Sequence, residues 1–199
     1  IKWRTWASSV LGGVVFITLL VQIFPQLTSI PVQRIQLAVK EFSALDTTKE
    51  SSISTSVGTR IYILSRALDE VPGHVLLGVG HVTKKSAIKR WGIEHNSPAV
   101  SVLGHLHNNY IEVLFDQGLF GLGSFLSFFA GLFWMIAILR KNQPMAAFGI
   151  SGILFMHATS SLTNVNFAHN YYPTMLSVAV SFCLLLFMNP SGSDGASCN

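Results

Sequence analysis

Two imidazoles, His105 and His107, stand two positions apart in GHLHNNYIEVLFDQGLFGL, residues 104–122, directly before a stretch, 118–139, that holds no charged residue. Neutral imidazole accepts a proton near pH 7 and also binds metals. Three readings of the pair therefore stand open: satisfied structural histidines, a metal pair, or a general base. No cysteine or carboxylate stands at ligand spacing beside them, which argues against the metal. Residues two apart share a face only where the chain is extended, so Asn108 and Asn109 read as the start of the next helix. Ile111, Leu114 and Phe115 open its 3.6-residue period. His107 then falls at a helix amino terminus, where free N–H groups and the helix dipole favour anions. Glu112 and Asp116 should remain above the lipid, on the outer side.

A cation able to meet such an anion stands upstream, in SVGTRIYILSRALDEVPG. At 100° per residue Ile61, Leu64, Leu68 and Val71 form one stripe. Arg66, Asp69 and Glu70 fall opposite, with Arg66 and Glu70 spaced as an i,i+4 pair. Arg60 projects near the stripe, in the first turn. A cation on the buried-facing side is costly unless it meets an anion, so Arg60 is either a snorkelling or capping residue or an anion clamp. Pro72-Gly73 ends the helix, and LLGVGH follows as a glycine turn whose lone G-x-G is a weak phosphate-loop signal. KKSAIKRW reads as a solvated outer face, with anionic headgroups or an anionic substrate as the alternative partners.

The elements that position these groups are set by composition. Of 199 residues 50% are hydrophobic and 11% charged, against about 25% charged in a soluble domain. Such a chain reads as an all-α, polytopic membrane protein. Four spans are expected, at about 6–24, 118–139, 145–162 and 173–188. The alternating pattern of a membrane barrel is missing. Lys2 and Arg4 precede the first span, and Arg140 and Lys141 follow the second, which places both sites on the cytoplasmic side. The segment 25–117 then forms a large outer loop. It is too long for an idle connection and reads as a small helical domain: an amphipathic helix in PVQRIQLAVKEF, a polar link in TTKESSISTSVG, then the helix with Arg60.

The tail 190–199 reads as disordered. Trp3, Trp6, Tyr171 and Tyr172 look like interface anchors, and Gly121, Gly123 and Gly131 like sites of close helix approach. His157 and His169 have either a pocket-lining or a structural role. Cys183 and Cys198 imply neither a disulfide framework nor a metal site. A net charge of +4 comes from scattered cations, which excludes the continuous basic face of a nucleic-acid binder. Without an initial Met, the chain reads as a piece of a longer polytopic protein.

Arg60, Gly78, Gly80, His105, His107, Asn108, Tyr110, Glu112, Gly118 and Gly121 occur in the order of a known pattern. Together they resemble the carboxyl-terminal half of the bacterial O-antigen ligase and polymerase superfamily, most closely O-antigen ligase. The resemblance implies a GT-C-like, inverting, metal-independent glycosyltransferase of the inner membrane, with its active site on the periplasmic face. It implies a glycan donor on undecaprenyl pyrophosphate, no cofactor, and a sugar hydroxyl of lipid A core as acceptor. A second lipid-linked repeat or a protein Ser/Thr would be the acceptor in the polymerase and protein-modifying branches. On this reading His107 is the base and Arg60 grips the pyrophosphate, with His105, Asn108, Tyr110, Arg66 and Arg34 as substrate-binding candidates. A transporter or scaffold is the non-enzyme alternative, but ion-coupled transporters usually carry carboxylates inside their spans, and these four spans have none.

Overall fold

A left-handed glycine inside the longest helix organises the fold. The computed structural model describes residues 3–46, 49–169 and 171–187. Among them, every regular element is helical: α1 (Trp3–Ile23), α2 (Gln26–Ser43), α3 (Glu50–Ile53), α4 (Ser56–Glu70), α5 (His81–Glu94), α6 (Pro98–Ser101), α7 (Asn109–Asn142), α8 (Pro144–Ser160) and α9 (Tyr172–Phe187). The side chains of Trp3 and Trp6 and the tail 188–199 fall outside the described residues.

The chain divides into two compact units, Ile1–Gly58 and Thr59–Asn199. In the first, α1 covers the expected span, and a bend of 78° separates its segment Leu11–Ile23 from Thr28–Ser43 of α2. The amphipathic helix therefore begins earlier than expected, with Pro31 inside it rather than at its start. The supposed polar link is partly helical, carrying α3 and the first turn of α4. The Val57 N–H donates to the Glu41 carboxylate at 2.9 Å.

In the second unit, α7 is the one described helix long and apolar enough to cross a membrane alone. It is broken at Gly118, whose φ of 66° and ψ of −160° interrupt the ladder. In an unbroken helix the N–H groups of Leu119 and Phe120 would return to the carbonyls of Phe115 and Asp116. They donate instead to Val75 and Leu76, at 2.8 and 3.4 Å. The abandoned carbonyls accept from Val79 at 2.8 Å and Gly80 at 2.9 Å. The glycine turn is thus a backbone splint for the broken helix. The N–H groups of Val79 and Gly80 are spent on α7 and that of Gly78 on His74 O, which removes the phosphate-loop reading.

Both glycine motifs exist to let these backbones meet. A Cβ on Gly78 would stand 2.4 Å from the Asp116 carbonyl carbon, and one on Gly118 would stand 2.3 Å from that of Leu76. The glycines expected to allow helix approach behave otherwise. Gly123 and Gly131 face open space and Gly121 is crowded by its own helix; the close approach falls at Gly149, a position outside that expectation, which meets Cys183 of α9.

Beyond the break, Pro144 starts α8 straight after α7, so the two pack side by side. Leu132, Leu139, Ala146, Ala147 and Ile150 form their buried seam. α8 and α9 occupy the expected positions of the last two spans, but with 17 and 16 residues each falls short of the roughly 20 of a straight crossing.

The helices before α7 enclose Trp91, Ile63, Ile88, Val100 and Leu106, all fully buried. The packed face of α4 is Tyr62, Ile63 and Ala67, and Leu68 of the expected stripe is 48% exposed. Arg66 pairs with Glu94 at 3.0 Å and Glu70 with Arg90 at 2.6 Å. The expected Arg66–Glu70 pair within α4 is thus replaced by two bridges to α5, whose carboxylate and guanidinium lie alongside.

Gly78→Ala combines left-handed strain with a collision against backbone that cannot yield. It should cost about 2–5 kcal/mol, read as a fall in the thermal midpoint of the purified protein, with Gly123→Ala as the neutral control.

Candidate active site

The sequence GHLHNNY is held down at each polar residue that follows the histidines. Asn108 is the N-cap of α7, its Oδ1 accepting from Ile111 N–H at 3.0 Å. Its amide donates to Leu162 O at 3.0 Å, the Asn109 N–H to Ser161 O at 2.8 Å, and Tyr110 Oη to Ala158 O at 3.0 Å. Asn108 and Tyr110, expected to bind substrate, spend these polar atoms fastening α7 to the end of α8. The amino terminus of α7 is in turn largely satisfied by protein, not left open to an anion.

His107 precedes this anchor in the left-handed region, φ 56°, a conformation uncommon for a non-glycine residue and found disproportionately at functional sites. Its ring meets that of His105 edge to face, with centroids 4.2 Å apart. Both rings are half-buried. The His107 imidazole is pushed down to about 4, first by burial, then by the His105 ring, then by the Arg60 guanidinium. His105 is lowered too, chiefly by burial, with Glu112 opposing and His169, Lys84 and Arg60 adding to the fall. Both rings are therefore neutral, proton-accepting groups at pH 7. The His105 Nδ1 is buried and has no hydrogen-bond partner among the described residues.

Arg60 is exposed and makes no ion pair among the described residues. Its charge reaches both imidazoles, so the expected base and the expected anion clamp share one neighbourhood. Arg66 does not join them freely, since Glu94 holds it. Arg34 lies on α2, in the other compact unit. No group of three or more metal-ligating side chains occurs among the described residues.

Beneath the histidines lies a feature the sequence concealed. Lys84, expected on a solvated face, is 1% exposed. Its ammonium bonds Glu112 and, at 2.8 Å, Asp116. The other Glu112 oxygen accepts the Leu106 N–H at 2.7 Å, and Leu106 is the residue between the two histidines. An ammonium buried between carboxylates is tolerated because each charge is paired and hydrogen-bonded. Here that pairing pins the histidine turn to α5. The available signal was spacing: Glu112 and Asp116 are four apart on one helix face and need a cation that their own helix does not supply.

A family model described as O-antigen ligase matches residues 1–126. The chain belongs to the O-antigen ligase family. The matched region contains every motif residue from Arg60 to Gly121, the splint and the pinned turn included. No curated protein matches the chain. For this O-antigen ligase family member, membership supplies the coarse activity, a ligase- or polymerase-type glycosyl transfer on lipid-linked glycans at a membrane.

His157, by contrast, is locked into an aromatic cluster. It is fully buried, bonds Tyr172 Oη at 2.6 Å, and sits among the rings of Phe125, Phe128, Phe129 and Phe167. His169 stacks on Tyr171, with centroids 5.5 Å apart.

Lys84→Met strands two buried carboxylates and should cost about 3–5 kcal/mol, measured by thermal unfolding. Adding Glu112→Gln and Asp116→Asn to it should restore most of that loss.

Proposed function

We propose that this protein transfers a glycan from undecaprenyl pyrophosphate to a sugar hydroxyl of lipid A core, as an inverting, metal-independent O-antigen ligase. It works on the periplasmic face of the bacterial inner membrane, as part of a multi-pass protein. The observation that carries the reading is the Arg60 guanidinium, without an ion pair among the described residues, acting on two neutral imidazoles in a turn fixed at the start of the long apolar helix.

Those parts suit the reaction. The acceptor oxygen attacks the anomeric carbon from the face opposite the diphosphate. Its proton passes to the His107 ring as the new C–O bond forms, and the bond to the phosphate oxygen breaks. Negative charge builds on the departing diphosphate, where the bidentate donors of Arg60 stabilise it. His105, packed edge-on, orients His107. Arg66, which Glu94 now holds, is the secondary contact to the donor within this unit.

The depressed basicity of His107 sets a further condition. Burial first, then the His105 ring and then the Arg60 guanidinium hold the free ring down, and a diphosphate bound to Arg60 cancels the last of these. The base therefore strengthens once the donor is in place.

In full-length protein, His107→Ala at a normal protein level should lose about 100-fold or more of transfer, with lipid-linked glycan accumulating in the membrane. Unchanged transfer would remove His107 as the base. Offering lipid A core, a second lipid-linked unit and a peptide together identifies the acceptor, and lipid A core should be the one consumed.

The pH profile gives a separate check. A base must be unprotonated, so kcat/KM, which reports the free enzyme, should stay level through pH 6.5 and fall only as pH drops toward about 4. The acid limb of kcat should lie at higher pH, because the bound diphosphate raises the ring. Identical limbs near pH 6.5 would overturn the assignment.

A further inference from the structure

A cavity of about 240 Å³ opens between α5, the first turns of α7 and the turn Asn166–Ala168. Its wall includes Lys84, Asn109, Glu112, Asp116, Gln117 and Phe167. Neither His105, His107 nor Arg60 lines it. It shares one member with the histidine turn, since Glu112 faces the cavity and also holds Leu106 N–H.

Asn109 makes the cavity more than a gap. The residue is 0% exposed, and neither its side-chain oxygen nor its nitrogen has a hydrogen-bond partner among the described residues. Leaving both ends of a buried carboxamide unmade is costly. Its own backbone N–H is anchored on Ser161, which holds the side chain at the cavity wall. A carboxamide there offers one donor and one acceptor side by side.

The wall also restricts what can enter. A metal ion is excluded because the Lys84 ammonium already occupies the space between the two carboxylates. An anion would meet those carboxylates, and an apolar group would leave Asn109 unsatisfied. A neutral polyhydroxyl ring meets every demand. Its hydroxyls donate to the carboxylates and exchange both bonds with the carboxamide, while a C–H face lies against Phe167.

We propose that this cavity seats the acceptor's sugar, one turn of α7 from the base. The inference rests on the transferase reading above and extends it. The donor's diphosphate end belongs with Arg60, which is absent from this wall. The acceptor is therefore the substrate left to fill it, and Glu112 couples its seat to the histidine turn.

Asn109→Leu tests this directly. If the carboxamide has no ligand, an apolar replacement of similar shape is neutral or stabilising and leaves kinetics alone. If it binds sugar, the thermal midpoint holds or rises while KM for lipid A core oligosaccharide increases about tenfold or more. KM for the undecaprenyl-pyrophosphate donor should stay unchanged. Gln117→Ala, at an exposed position, should raise acceptor KM severalfold and keeps the test decisive if Asn109→Leu does not fold. Unaltered acceptor KM in the folded variants, with His107→Ala inactive, overturns the sugar seat and spares the transferase. A rise in donor KM alone also overturns it, assigning the cavity to the donor glycan. An active His107→Ala strikes the transferase reading instead.

Discussion

Backbone groups freed at a buried break in a helix must find partners, because each group left unmet away from water costs several kcal/mol. Gly118 frees such groups, and the turn from Val75 to Gly80 supplies a partner for each. The rest of the second unit is arranged from that splint. Gly80 is the N-cap of α5, so docking it on Asp116 fixes where α5 begins. Lys84 lies one turn further on, and its N–H returns to Gly80 O. Its ammonium is thereby delivered to Glu112 and Asp116, and Glu112 in turn fixes Leu106 between the histidines.

This chain of support has an electrostatic side. Glu112 alone would favour a charged His105, and Lys84 opposes it. The buried ammonium thus lets a carboxylate serve as a mechanical anchor while limiting its pull on the imidazole protons. Arg60 stands apart from these internal pairs, whereas Arg66 and Arg90 are consumed by Glu94 and Glu70. Of the two cations on α4, Arg60, without a carboxylate partner among the described residues, is the one whose field reaches the histidine turn.

Much of this was legible in the chain. The histidine turn, the N-cap at Asn108 and the apolar run beyond Gly118 follow from residue type and spacing, which act locally. The misreadings share a cause. Leu64 and Leu68 outrank Tyr62 and Ala67 in hydrophobicity, yet the second pair faces the protein. Residue type along α4 does not identify the packed face, because Tyr62 is drawn inward by a partner far along the chain, its Oη donating to Trp91 O at 3.3 Å. Lys84 was hidden among Lys85, Lys89 and Arg90 because its burial depends on carboxylates 28 and 32 residues away. Likewise, the glycines of 78–80 and of 118 look like separate local signals, although each answers the other's backbone.

The splint also orders events during synthesis. Residues 75–80 leave the ribosome before the helix they mend, so for a time they hold donors and acceptors without their counterparts. The upper end of α7 can settle only after both stretches have been made and brought together. Ordering of the histidine turn therefore needs residues made well after residue 80, and a chain halted just short of residue 112 would carry Arg60, His105 and His107 without the carboxylates and carbonyls that hold the turn in place.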